Sequence, residues 1–258
     1  MITNIPTFPD LNGNVAVVTG GSRGIGAETC RFFAANGMKV AVVGRDKDAI
    51  ELVLEEIRAD GGQATGVVAD CTDREALEHM RATVEQEFGP VDVLAAFAGG
   101  DQGVEAAEQM TEETWRSILD HNLTATFLTV QAFLPGMIER RRGSIITMSS
   151  AAGRLPGHSS VAYATAKAGI LMFTRRTAMD VGKHNVRVNC IAPSAILTER
   201  NKARIPEEIR ERVAAEQFLI ARWGTPADCA NAALFLASEA SSWVTGETID
   251  IAGGKIMM

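Results

Sequence analysis

Asn14-Val-Ala-Val-Val-Thr19-Gly20-Gly21-Ser22-Arg23-Gly24-Ile25-Gly26 opens as a short apolar run and passes straight into a glycine-rich turn. A helical pattern follows from Ala27 to Asn36, and after Gly37 a second β-type run covers Lys39 to Val43. Strand, glycine turn, helix and strand in that order are the context in which a glycine motif points to a bound dinucleotide. The glycines let the backbone approach a pyrophosphate, and the helix N-terminus behind them offers unpaired N–H groups and a favourable dipole. An ordinary glycine-rich strand–helix turn is the plain alternative.

The alternation continues to the end of the chain. Apolar β-type runs lie near 14–19, 39–43, 64–69, 91–96, 143–149, 186–192 and 246–251. Amphipathic stretches at 24–36, 46–60, 73–88, 111–135, 161–182 and 226–238 fill the gaps. The runs are nearly continuous in apolar residues, as parallel strands covered on both faces require. The prediction is a doubly wound parallel sheet of about seven strands in a single α/β domain over 1–258. Right-handed crossovers leave the strand C-termini along one edge, where ligands bind in such sheets. Gly20, Gly44, Asp70, Gly99, Ser150 and Pro193 fall at or near those ends. The one long irregular stretch, about 194–225, carries Ile205, Ile209, Val213, Phe218 and Leu219 among charges. It reads as a helical flap over a substrate, or as a surface helix pair.

Composition narrows the class. The 258 residues suit one α/β domain, and 46% hydrophobic content supplies a sizeable core. A net charge of −7 argues against a nucleic-acid partner and against an anionic membrane surface. No apolar run approaches the ~20 residues of a membrane span. Met1 to Asn12 lack a basic start followed by an apolar core, so no secretory signal is expected. Cys30, Cys71, Cys190 and Cys229 are scattered, as are His79, His121, His158 and His184. The expectation is reduced thiols, a cytoplasmic address and no metal site.

Tyr163 and Lys167 stand four apart in the helix expected over 161–182, so they share a face. An ammonium beside a phenol favours the phenolate and lowers a pKa that starts near about 10. Tyr163 is then a proton donor or acceptor near neutral pH. Ser150, thirteen residues before Tyr163, offers a hydroxyl to a substrate oxygen. Taken alone, the spacing equally describes a buried Tyr and a solvated Lys. It gains meaning beside a cofactor site.

Thr19-Gly20-x-x-x-Gly24-Ile25-Gly26, Asn122, Ser150 and Tyr163-x-x-x-Lys167 stand in the order and spacing of the short-chain dehydrogenase/reductase family. The chain resembles that family over nearly its whole length, and looks most like its 3-oxoacyl-acyl-carrier-protein reductase branch. Asp70, Asn189-x-Ile-x-Pro193 and Val244-Thr-Gly246…Gly253-Gly254 add to the match. Two positions depart from it. The fourth strand ends Ala96-Phe97-Ala98-Gly99 where the family has Asn-Asn-Ala-Gly, and Ser194 follows Pro193 where the family commonly has Gly.

The resemblance implies a Rossmann-type fold and a role for each matching residue. Tyr163 would be the general acid in reduction and the general base in oxidation. Lys167 would lower its pKa and bond the nicotinamide ribose, Ser150 would orient the carbonyl oxygen, and Asn122 would hold a water linking Lys167 to solvent. Gly20, Ser22, Ile25, Gly26, Ala98 and Gly99 would line the cofactor. Asp70 and the backbone of Cys71 would hold the adenine, with Asp73 the better N-cap for the following helix. Pro193, Ile196 and Thr198 would hold the carboxamide end. A homotetramer with twofold symmetry, or at least a dimer, is also implied. Its expected interface is helices 111–135 and 161–182 through Phe127, Val130, Leu171 and Phe173, with the tail Lys255-Ile-Met-Met258 near a neighbouring subunit.

Charge indicates which dinucleotide. The family's ribose-binding carboxylate position is Gly44 here, Arg45 follows it, and Arg23 lies in the glycine turn. Two guanidiniums suit an added phosphate, so NADP(H) is expected over NAD(H), unless Asp46 neutralises Arg45. The expected function is NADPH-dependent reduction of a small-molecule carbonyl substrate, a 3-oxoacyl thioester or another apolar ketone. The alternatives are an alcohol dehydrogenase working in the oxidative direction and a non-catalytic nucleotide-sensing protein. Arg140-Arg141-Arg142 with Arg175-Arg176 suit a basic rim for an acidic carrier or a coenzyme A thioester, or else 140–142 simply closes a helix.

Overall fold

Val15–Thr19 (β1) is buried on both faces, and its side chains alternate between two apolar layers. Ala16 and Val18 point into one core with Phe32, Phe33 and Leu234, whereas Val15 and Val17 meet Met80, Val130 and Phe133 in the other. A strand with no solvent-facing side belongs in the middle of a sheet covered by helices twice over. The computed structural model, which describes residues 5–101 and 103–257, has that arrangement. Met1 to Asn4, Gln102 and Met258 lie outside the described residues, so the start of the expected leader-free segment and the last residue of the tail do too.

The sheet has seven parallel strands. After β1 come Lys39–Gly44 (β2), Gln63–Val68 (β3), Val93–Ala96 (β4), Gly143–Met148 (β5), Val186–Pro193 (β6) and Thr248–Ile251 (β7). Their spatial order is β3-β2-β1-β4-β5-β6-β7. The direction of winding reverses between β1 and β4, with Ala16 beside Val40 on one side and Val93 on the other. That reversal opens the crevice in which doubly wound sheets bind ligands.

The helices start where short polar side chains cap them. Asp46 accepts from Ala49 N–H at the head of Lys47–Ala59 (α2), after Gly24–Ala35 (α1). Asp73 caps Arg74–Phe88 (α3), which leaves Asp70 free of that duty. Thr111 caps Glu112–Leu119 (α4). The expected helix over 111–135 differs from the structure in two ways. A π-helical turn, Asp120–Thr124, joins α4 to a second helix, Ala125–Arg140 (α5). This helix runs through Pro135 and stops only at Arg141, whose φ is 52°. Ser160 caps Val161–Val181 (α6). The flap region folds as two short helices, Glu199–Arg204 (α7) and Glu207–Gln217 (α8), before Thr225 caps Pro226–Ala237 (α9) with a full capping box.

Two expectations are corrected by this layout. Arg140 donates to the Val91 carbonyl, Arg141 to that of Lys183, and Arg142 pairs with Asp92 and Asn14. These partners precede β4, β6 and β1, so the arginine run staples the N-terminal edge of the sheet and forms no rim at the ligand edge. Arg176 pairs with Asp180 on its own helix. Of the four expected interface residues, Val130 and Leu171 are buried within the chain and Phe127 is exposed, its ring edge-on to Phe173 at 6.3 Å. No helix among the described residues is long and apolar enough to cross a membrane.

Candidate active site

The glycine turn is built for close approach. Gly20 has φ +66°, and a Cβ there would stand 3.0 Å from the Phe97 carbonyl. A Cβ on Gly26 would come within 2.1 Å of the Gly20 carbonyl, so α1 begins directly against the turn. Arg23 holds the N-cap position of α1 and gives no side-chain cap. The first N–H groups of that helix are therefore available to an anion, which fits a pyrophosphate. Ser22 packs over Gly44, whose Cβ position is 2.9 Å from the Ser22 hydroxyl oxygen. Ile25 is partly buried against the α1 core.

The charges beside this turn are arranged differently from the expectation. Asp46 pairs with Arg23 and not with Arg45. The Ala49 N–H and the Arg23 guanidinium together hold the Asp46 carboxyl below the usual carboxylate range. Arg45 lies 3.8 Å from Asp70 at the end of β3. Asp70 also accepts from the N–H and hydroxyl of Thr72, and these bonds, then Arg45, lower its pKa. The next residue, Cys71, is buried.

The Phe97 departure is absorbed by residues from other elements. The Phe97 ring joins the core, and Thr19 Oγ1 accepts from the N–H groups of Phe97 at 3.1 Å and Ala98 at 3.2 Å. Asn122, fully buried in the π-helical turn, accepts from Gly100 N–H at 3.0 Å and donates to the carbonyls of Gly100 and Ile118. Ala98, Gly99 and Gly100 are thus held without the missing amide. The Asn122 side chain bonds both locally and across to this loop. Ser194 is also accommodated: its N–H extends the β7 pairing to Ile251, and its φ is negative.

Ser150, Tyr163 and Lys167 converge at the end of β5. Ser149 donates to the Lys167 carbonyl at 2.7 Å, and a Cβ on Gly153 would lie 2.7 Å from the same peptide, so α6 sits hard against this corner. Ser150 Oγ accepts from Ala152 N–H, and Ser150 acts on the Tyr163 phenol by lowering its pKa. Lys167 is 2% exposed, donates to the Met148 carbonyl at 2.9 Å, and has Nζ 5.5 Å from the Tyr163 ring centre. The expected lowering of the phenol pKa is not found. Burial pushes Tyr163 up, with Asp101 adding to the rise and Ser150 and Arg200 opposing it. Burial pushes Lys167 itself down to about 8. Desolvation is the largest cause of both shifts.

The flap begins over the glycine turn. Pro193 ends β6, and Ile196 is buried and bridges to Gly224. Thr198 caps α7 and places its methyl 3.2 Å from the Cβ position of Gly24. Arg200 Nη2 then donates to the Asp101 carbonyl at 2.8 Å, joining the flap to the loop after β4. Asp101, Ser160 and Arg200 were not singled out from sequence as site neighbours. Only Asp101, directly after Gly99-Gly100 at a strand end, carried a local signal of its place.

A model of the short chain dehydrogenase family matches residues 14–209. Glucose 1-dehydrogenase 2 of Bacillus subtilis is 36% identical over 253 residues, covering 97% of each chain. The 3-oxoacyl-acyl-carrier-protein reductase of Thermotoga maritima is 34% identical over 247 residues, covering 96% of this chain and 99% of its own. A solved 7α-hydroxysteroid dehydrogenase complexed with NADH and 7-oxo glycochenodeoxycholic acid superposes with a TM-score of 0.90 at 35% identity, covering 96% of each chain. Matches of this extent, on a sheet wound in this order, mean that the chain belongs to the short-chain dehydrogenase/reductase family, enzymes that interconvert CH–OH and C=O with NAD(P)(H).

Proposed function

We propose that this protein reduces a small-molecule carbonyl compound to its alcohol, with NADPH as reductant and Tyr163 as proton donor. The observation that carries the reading is the convergence of Ser150, Tyr163 and Lys167 at a strand end beside the glycine turn. Gly20, Ser22, Ile25, Gly26, Ala98 and Gly99 would hold the dinucleotide, Asp70 and Cys71 its adenine, Arg23 and Arg45 the 2′-phosphate, and Pro193, Ile196 and Thr198 its carboxamide end. Bound there, the nicotinamide supplies the hydride.

The remaining work belongs to the side chains. Ser150 donates to the substrate oxygen and aligns it with Tyr163 Oη. Tyr163 gives that oxygen its proton, and a phenol held above its ordinary pKa is in the donor form at neutral pH. Lys167, within 5.5 Å of the ring, stabilises the phenolate left behind and also bonds the nicotinamide ribose. Asn122 fixes the Gly100 backbone and would hold a water linking Lys167 to solvent. Residues 194–225 close over the substrate as a flap.

An NAD(P)-dependent alcohol dehydrogenase working in the oxidative direction remains the alternative function. The alternative cofactor, NAD(H), draws support from one observation. Each of the two arginines already faces a carboxylate, Asp46 or Asp70, which the 2′-phosphate must displace or tolerate. A carrier-borne substrate is the weaker reading, since Arg140–Arg142 lie at the opposite edge of the sheet. Four buried free thiols suit a reducing, cytoplasmic setting. A homotetramer is proposed through α5 and α6.

The test is turnover of a ketone panel and the matching alcohols with both cofactors. NADPH is expected to exceed NADH in kcat/KM by about 10-fold, which needs only ~1.4 kcal/mol of differential binding. Tyr163→Phe is expected to lower kcat about 100-fold with cofactor affinity within a few-fold. Equal efficiency with NADH would overturn the cofactor reading, and near-normal turnover in the variant would overturn the proton donor.

A further inference from the structure

The rim beside Tyr163 is charged, and nothing in the proposed proton transfer uses it. Asp101 Oδ1 accepts from the Ser160 hydroxyl and from Gly103 N–H, both at 3.3 Å. Ser160 is the N-cap of α6 and accepts from Tyr163 N–H, so the carboxylate is one hydrogen-bonded step from the start of the Tyr163 helix. Arg200 comes from the other side, on α7, and reaches the Asp101 backbone carbonyl, not its carboxylate. Among the described residues neither Asp101 nor Arg200 takes part in an ion pair. Both charges are near enough to act on the Tyr163 phenol, in opposite directions. An acceptor and a donor of full charge therefore stand together at the N-terminal end of the Tyr163 helix without pairing with each other.

We infer that Asp101 and Arg200 are specificity-determining residues, and that the substrate carries a neutral hydroxyl next to its reacting carbonyl. The inference rests on the carbonyl-reduction reading and names its substrate class. A hydroxyl is both donor and acceptor, so it can give its hydrogen to Asp101 and accept from Arg200 at once. A carboxylate there would meet Asp101 with the wrong sign, and an ammonium would meet Arg200 likewise. A plain alkyl ketone would displace water from both charges and return no hydrogen bond, the circumstance in which sites built to read a hydroxyl reject its deoxy analogue. Arg200 is exposed, so the discrimination expected is about 10- to 100-fold, well below that of a fully enclosed site.

The experiment compares cyclohexanone, 2-hydroxycyclohexanone and 2-oxocyclohexanecarboxylate on the full chain with reduced cofactor. Kd is read by ligand-observed NMR and kcat/KM by NADPH and NADH consumption. The wild type is expected to favour 2-hydroxycyclohexanone over cyclohexanone at least 10-fold in both quantities. Asp101→Ala should bring that ratio below about 2, whatever it does to the common rate, because a ratio within one variant cancels general damage. Asp101→Asn, which keeps an acceptor for Ser160, should leave an intermediate ratio. A wild-type ratio near 1, or a ratio untouched by Asp101→Ala, overturns the inference. So does a preference for the carboxylate that Arg200→Ala abolishes, since the rim would then read an anion. Absence of turnover with all three compounds would count against the reductase reading, while the Kd ratio would still decide the role of Asp101.

Discussion

A buried lysine is the residue on which the chemistry and the stability of this site pull in opposite directions. Lys167 has a folded-state pKa of about 8 against an ordinary 10.5 because burial disfavours its ammonium. Between those values the unfolded chain binds more protons than the folded one, so stability rises with pH across about 8 to 10.5. Below that window the buried charge costs on the order of 3 kcal/mol. Lys167→Met removes the cost but orphans the Met148 carbonyl, worth about 1–2 kcal/mol. The variant is expected to be about 1–2 kcal/mol more stable than wild type at pH 7 by urea unfolding, with the gain gone by pH 10. A loss of stability at pH 7 would show that the hydrogen bond outweighs the desolvation. Reduction by the wild type should fall above pH 8, as the ammonium that supports the phenolate is lost. The Asp46–Arg23 pair gives a second prediction. Asp46→Asn keeps a good N-cap for α2 yet frees Arg23, so the NADPH-to-NADH ratio of kcat/KM should rise several-fold. An unchanged ratio would place Arg23 outside the phosphate site. Spacing made Tyr163, Lys167 and the paired arginines visible in the sequence. Which acid faces which arginine was not visible, because those partners are 23 and 25 positions apart and meet only through the sheet.

At the scale of elements, the π-helical turn at Asp120–Thr124 is the feature that periodicity hid. The apolar pattern of 111–135 reads as one unbroken helix, and a π turn shifts the phase of the following helix without interrupting its amphipathicity. Pro135 reads as a stop, yet α5 passes through it. The carbonyl that loses a partner belongs to Gln131 on the exposed face, where water can serve it. The cap of α3, Asp73, was legible because a cap is a contact of three residues or fewer. What the π turn achieves is the placement of Asn122 in the core, against the loop after β4. Asn122→Leu removes three hydrogen bonds and leaves both polar groups of Gly100 without their partner. Its expected cost is about 2–4 kcal/mol. A cost under about 1 kcal/mol in denaturant unfolding would mean that water or a shifted backbone takes over both bonds.

For the molecule as a whole, the sheet separates two kinds of charged edge. At the strand N-termini, Arg140, Arg141, Arg142 and Arg187 are spent on backbone carbonyls and on Asp92 and Asn14. At the C-termini, Asp101 and Arg200 lack ion-pair partners among the described residues, and Arg23 and Arg45 have acids for neighbours. The doubly wound parallel sheet and its ligand edge followed from alternation and handedness, whereas the use of each charged run did not, because sequence carries no record of which edge a helix end reaches. One surface is left over. Val161, Met172 and Met179 are exposed on α6, eleven and then seven residues apart, which puts them within about 20° of one line along the helix. Phe127 of α5 lies beside that stripe through its contact with Phe173. This apolar stripe is where the proposed assembly is expected to pack. A twofold axis parallel to the sheet edge would bury it against the same stripe of a second copy, as isologous packing requires. The wild type is therefore expected to be a tetramer, or at least a dimer, by light scattering at micromolar concentration. Met172→Glu with Met179→Glu should lower the assembly state by a factor of two, because two carboxylates per chain would face their own copies across the axis. Monomeric wild type would refute the interface, and an unchanged assembly in the double variant would move it off α6, to the surface around Trp243 and Met257, which are 99% and 77% exposed.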